Sequence, residues 1–210
     1  TLDSADSWNS NDTVIKLTVV GKGSNLALGK LVYASSSVDS DVDRWGMQKI
    51  TDGIYESIKG TSMGHSSSMF LTTESHTEYV IVDTGTENTV STVTLFPRSD
   101  SGNEGEGFPV DFTIQLSTDN TNWTTVTTAT AFANPGKVAQ TFNFSVMNAR
   151  YVKVEATKLK INTKDFNQYR LQLAEIGVYN TSLPSISLQP QNKSVNIDDT
   201  VKLSVAGTAS

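Results

Sequence analysis

Residues 107–123 constrain the fold of this chain more than any other stretch. Phe112-Thr113-Ile114-Gln115-Leu116-Ser117 alternates apolar and polar side chains. That two-residue period belongs to a strand with one buried face. Asp119-Asn120-Thr121-Asn122 then supplies the short polar side chains of a turn, and Trp123 opens the next strand. The same grammar recurs along the chain. It predicts strands over Glu78–Asp83, Val90–Pro97, Phe112–Ser117, Lys137–Phe144, Tyr151–Thr157 and Leu171–Tyr179. No long segment carries a helical period. Regular short strands with turn signals between them imply an all-β sandwich or barrel.

Composition narrows the function. The 210 residues are 37% hydrophobic and only 18% charged, with the polar positions filled largely by Ser, Thr and Asn, which suit strands and turns. A net charge of −6 argues against a phosphate-backbone partner and against docking on an anionic membrane. No apolar run is long enough to span a bilayer, so membrane insertion is not expected. Thr1 does not open a signal peptide, and the chain reads as an excerpt of a longer protein. With no cysteine and two histidines, His65 and His76, it lacks thiol chemistry, and no Gly-x-Ser-x-Gly, His-Glu-x-x-His or phosphate-cradling loop occurs. Asp41 with Asp43, and Glu104 with Glu106, are paired carboxylates, but both pairs fall in polar loops and read as solvated. The chain is not expected to be an enzyme.

Three segments carry a family resemblance: Asn25-Leu26-Ala27-Leu28-Gly29-Lys30, Gly107 to Trp123, and Leu173-Ala174-Glu175-Ile176-Gly177-Val178-Tyr179. Together they resemble the discoidin (F5/8 type C) family, in particular its bacterial branch overlapping carbohydrate-binding module family 32. The resemblance implies a discoidin-like jelly-roll β-sandwich over residues 25–180. It also implies a non-catalytic carbohydrate-binding module of a secreted or cell-surface bacterial protein, such as the accessory module of a larger glycoside hydrolase. The lack of disulfides fits a bacterial source. The alternative is an adhesion module binding a protein partner. Lipid binding ranks lower, because basic residues are sparse around Met63 and Met69-Phe70. Residues 1–24 form a polar start and a strand, Thr13–Val20, that either ends a preceding domain or adds to the module's surface. Residues 181–210 look like a linker and the first strands of a bacterial Ig-like repeat, so neighbouring domains are expected partners.

Within the resemblance, two sites are implied. Asp52-Gly53 matches a turn that in many relatives wraps a structural Ca²⁺. The ion would take the Asp52 carboxylate, the Lys49 and Ile54 carbonyls, an oxygen of Ser57, the Ala174 carbonyl and the Glu175 carboxylate, a hard-oxygen set suited to calcium. Read on their own, Asp52 caps a turn and Glu175 pairs with a base. The ligand site would lie on loops at one end of the sandwich. Arg98, Asp100 and Asn103 would meet sugar hydroxyls, with His65 on a neighbouring loop, although the Trp that relatives place near it is absent. Trp45, Phe166 and Tyr169 are the candidate stacking rings, since a pyranose packs its apolar face on an aromatic. Read alone, Arg98 makes a surface ion pair. Trp123 reads as a core or edge anchor whose loss would damage folding, and His76, Arg150 and Arg170 read as structural.

Overall fold

The computed structural model describes residues 23–39, 43–68, 76–164 and 167–180, with the backbone of 185–188 and 206–208. In chain order the strands are β1 (Leu31–Ala34), β2 (His65–Ser66), β3 (Glu78–Pro97), β4 (Asp111–Ser117), β5 (Thr124–Ala129), β6 (Gln140–Lys158), β7 (Ile161–Asn162), β8 (Gln168–Tyr169) and β9 (Gln172–Tyr179). One 3-10 turn, Met47–Thr51, precedes β2. All ladders between these strands are antiparallel, in the order β2-β9-β3-β6-β4-β5, with β1 also on β3 and a separate β7-β8 hairpin.

Two long strands make this a sandwich. The first part of β3 pairs with β1 and with the second part of β6, which in turn pairs with β4. The last part of β3 pairs instead with β9 and with the start of β6. Each long strand passes from one layer to the other where the register breaks, between Asp83 and Asn88 and between Val90 and Thr92. Val80 and Val82 of one layer and Val93 and Leu95 of the other then enter a single core with Ile114, Val154, Leu173 and Ile176. Phe112 sits at its centre, 6.0 Å from Phe108 and 5.6 Å from each of Phe132 and Phe142. The predicted strands Glu78–Asp83 and Val90–Pro97 are therefore two ends of one strand. So are Lys137–Phe144 and Tyr151–Thr157, within bounds of Gln140–Lys158.

The two ends of the domain are fastened together. Leu26 N–H donates to the Val178 carbonyl at 2.8 Å, and Val178 N–H donates to Asn25 Oδ1 at 3.0 Å. Residues Lys22–Ser182 form one compact unit. A second takes in Thr1–Gly21 and Leu183–Ser210, where β10 (Ser185–Leu188) and β11 (Ala206–Thr208) make an antiparallel pair. The predicted strand Thr13–Val20 lies outside the described residues, as does most of the Ig-like stretch.

Candidate functional site

The site starts where β3 ends. Past Pro97 the chain coils tightly: Gly105 N–H donates to the Arg98 carbonyl at 2.8 Å and Asn103 N–H to the Asp100 carbonyl at 2.9 Å. Gly105 is buried at φ 73°, and a Cβ there would lie 1.8 Å from Asn134 Oδ1, so only glycine closes this coil. The coil brings Arg98, Asp100 and Asn103 together. Arg98 Nε and Nη2 donate to the two Asp100 oxygens at 2.5 and 2.9 Å, and Asn103 Nδ2 donates to Asp100 Oδ2 at 2.7 Å. Burial, the largest single influence, would push the Asp100 carboxyl up, but the Arg98 guanidinium, the Asn103 amide and a backbone N–H together hold the group below its ordinary value. The guanidinium also lies 5.3 Å from the Trp45 ring centroid.

Sequence reasoning missed Gln172, which anchors the other side of this arginine. Its Oε1 accepts from Arg98 Nη1 at 3.2 Å, while its Nε2 donates to Ser66 Oγ at 3.2 Å. Gln172 is buried at the first position of β9, and a Cβ on Gly107 would run into its side chain at 2.5 Å. A polar residue at the head of an apolar strand was the available signal. Of the five N–H donors of Arg98, three are engaged. One on Nη1 and one on Nη2 make no hydrogen bond within the protein. Tyr55 was also missed: it is exposed, packs 4.6 Å from Phe96, and belongs to a loop pinned to the Arg98 coil by Ser57 N–H to Ser99 Oγ at 2.8 Å.

The remaining expected contacts separate. Lys164 Nζ donates to the Gly102 carbonyl, fastening the loop after β7 to the Arg98 coil. Tyr169, in β8, is half-buried against the core, so part of its ring is consumed in packing. Phe166 lies outside the described residues. His65 requires a correction: it is a core residue in β2, paired with Leu173 and fully buried, with neither ring nitrogen hydrogen-bonded. Gly64 is the cause. At φ 91° its α-carbon lies against β9, where a Cβ would come within 2.2 Å of the Leu173 carbonyl oxygen, and this draws the next residue inward. Burial lowers the imidazole pKa to about 4, so the ring is neutral and has no access to a ligand. Of the two places read for Trp123, core or edge, it takes the edge: it stands outside the core cluster, half-buried beside Lys153.

Asp52 and Glu175 do meet. Asp52 closes the 3-10 turn, Gly53 follows at φ 84°, and Gly53 N–H donates to Glu175 Oε1 at 3.1 Å. Glu175 is completely buried in β9, next to a bulge: Phe96 pairs with Glu175 and Pro97 with Leu173, which leaves Ala174 as the extra residue. Asp52 Oδ2 and Glu175 Oε2 are buried without a hydrogen bond, although Lys49 Nζ stands 3.7 Å from the former. Burial pushes the Glu175 carboxyl up to about 8, with the Gly53 N–H opposing and the Asp52 charge adding to the rise. Ser57 Oγ donates to the Met63 carbonyl at 3.0 Å and keeps its lone pairs. Two under-satisfied carboxylates at a glycine turn fit a hard cation.

Residues 32–171 match the F5/8 type C domain family, and the chain belongs to it. Among solved structures, chitosan-binding module 1 of a chitosanase/glucanase from Paenibacillus sp. IK-5 is 27% identical, with a TM-score of 0.55 over 75% of this chain and 100% of that one. A family 32 carbohydrate-binding module from Clostridium perfringens, solved with GalNAc-β-1,3-galactose, is 16% identical with a TM-score of 0.57 over 72% and 96%. The lectin domain of Lectinolysin, solved with Lewis B antigen, is 22% identical with a TM-score of 0.58 over 77% and 100%. No curated protein matches the chain.

Proposed function

We propose that residues 22–182 form a non-catalytic carbohydrate-binding module that holds a secreted or cell-surface bacterial protein against a glycan. The observation that carries this reading is Arg98. It is held by three hydrogen bonds to two partners, Asp100 and Gln172, packed on Trp45, and left with two N–H donors that no protein group takes. A guanidinium so held meets adjacent sugar hydroxyls without losing further rotamer freedom. Trp45 or Tyr55 would supply the apolar stacking face, together with whatever Tyr169 and Phe166 contribute. Asp100 and Asn103 serve first to orient Arg98.

The residues around Asp52 and Glu175 suit Ca²⁺, held by these two carboxylates with the carbonyls of Lys49, Ile54 and Ala174 and an oxygen of Ser57. The ion would neutralise the buried Glu175 and the half-buried Asp52 and fasten the turn before β2 to β9. Its contribution is structural.

A glycan array probed with the full chain tests the module. Chitosan oligosaccharides belong on it first, given the net charge of −6 and the 27%-identical chitosan-binding relative. Binding of a glycan, lost in Arg98→Ala, supports the reading. No binding to any glycan would overturn it in favour of a protein-adhesion module.

A further inference from the structure

The solvent face of the other layer is unusually rich in flat groups, and the fold does not require them there. Along β6, Val152, Val154 and Ala156 are buried while Tyr151, Lys153 and Glu155 alternate with them, so the latter three project outward. Asp83, Tyr151 and Ser117 are neighbours across β3, β6 and β4. Trp123 extends that row, because the next residue, Thr124, pairs with Leu116. Lys153 Nζ lies 4.6 Å from the Trp123 ring centroid, yet only 13% of the Lys153 side chain is exposed although it projects toward solvent. The ammonium thus caps one face of the half-buried indole. Two strand spacings away, about 9.5 Å, the Arg150 guanidinium covers the Tyr151 ring at 5.0 Å. Tyr33 of β1, 49% exposed, continues the strip beyond.

The charges on this face cancel locally. Lys153 pairs with Glu155 at 3.1 Å, and Arg150 forks onto Asp83 at 2.7 and 2.9 Å. The strip thus offers planar surfaces separated by Ser117 and Gln115, and the one carboxylate beside it without a basic partner is Asp119, bonded to Ser117 and to neutral donors of its own turn. A polyanion gains nothing from such a surface. An extended, neutral, β-linked polysaccharide gains most: its ribbon presents apolar C–H faces at regular intervals for stacking, and its equatorial hydroxyls fall at the edges, within reach of amide and hydroxyl groups. We infer that the outer face of β1, β3, β6 and β4 is a second glycan-binding surface, for an extended neutral polysaccharide, centred on Trp123 and the Arg150–Tyr151 stack. It uses none of the Arg98 residues, so either site can fail without the other. Two weak sites on one module raise retention on a polymer through effective concentration.

Depletion isotherms of the full chain on microcrystalline cellulose and on chitin test this, run beside calorimetry with the best soluble glycan from the array. Wild type should be retained on at least one polymer. Trp123→Ala should weaken that retention about tenfold, the equivalent of one good ring contact, and leave soluble-glycan binding unchanged. Arg98→Ala should do the reverse. Tyr33→Ala combined with Tyr151→Ala reads the same face if Trp123→Ala does not fold. Wild type free of both polymers, or retention that ignores the face variants, overturns the proposal. Retention lost only with Arg98→Ala assigns the polymer to the first site and overturns it equally.

Discussion

Arg98 is oriented by the protein itself, before any ligand, and this decides what its replacement does. Asp100 takes two of its donors and Gln172 a third, at 2.5, 2.9 and 3.2 Å. Arg98→Ala removes the two remaining donors and also leaves a partly buried carboxylate without its partner. Glycan affinity should fall by about 1.5–3 kcal/mol, roughly ten- to a hundredfold. Arg98→Lys should rescue little, because one ammonium cannot span both Asp100 oxygens, the Gln172 amide and a sugar. Calorimetry on the array's best glycan reads both; wild-type affinity in Arg98→Lys would show that charge alone matters there. In the sequence, Arg98, Asp100 and Asn103 were readable as a group because they share one short loop. Gln172 was not, since its role depends on β9 running beside that loop, 74 residues further along.

At the scale of elements, what was legible is what is local. Short apolar-rich runs between turn signals located the cores of β3, β4, β6 and β9, the last buried on both faces. It could not show that pairs of predicted strands are continuous, because continuity depends on ladder partners on both sides of a bulge. His65 shows the same limit: a Met-Gly-His-Ser stretch reads as a loop until β9 is placed against Gly64. That seam is tight, with a Cβ on Gly64 reaching 2.5 Å from the Ala174 α-carbon. Gly64→Ala should therefore cost about 2 kcal/mol or more in urea unfolding, from overpacking and from a strained positive φ. The bulge at Ala174 faces the Asp52 turn, so calcium would join two elements 122 residues apart. Saturating calcium should raise the melting temperature over that in EDTA by roughly 5–10 °C. Asp52→Ala should abolish the difference, and identical wild-type melting curves with and without EDTA would remove the ion from the account.

For the molecule as a whole, pH acts through the core. His65 is fully buried with both ring nitrogens unpartnered, and its pKa falls to about 4 from an ordinary 6.5. The unfolded chain therefore takes up a proton before the folded one as pH drops. Stability due to the neutral ring is complete above pH 6.5 and drains away between 6.5 and 4, by on the order of 3 kcal/mol at the acid end. Other groups titrate nearby, Glu175 among them with the opposite sign, so absolute stability against pH mixes several effects. The comparison with His65→Leu isolates one. Leucine fills a similar volume, carries no orphaned nitrogen and does not titrate, while every carboxylate is common to both proteins. His65→Leu should be the more stable chain throughout, and its advantage should widen steadily as urea melts in saturating calcium are taken from pH 7 to pH 4. An advantage that stays constant over that range would mean that the imidazole gains a proton in the folded core as readily as in the unfolded chain. The β2–β9 seam would then have to admit water, against the closure that Gly64 gives it.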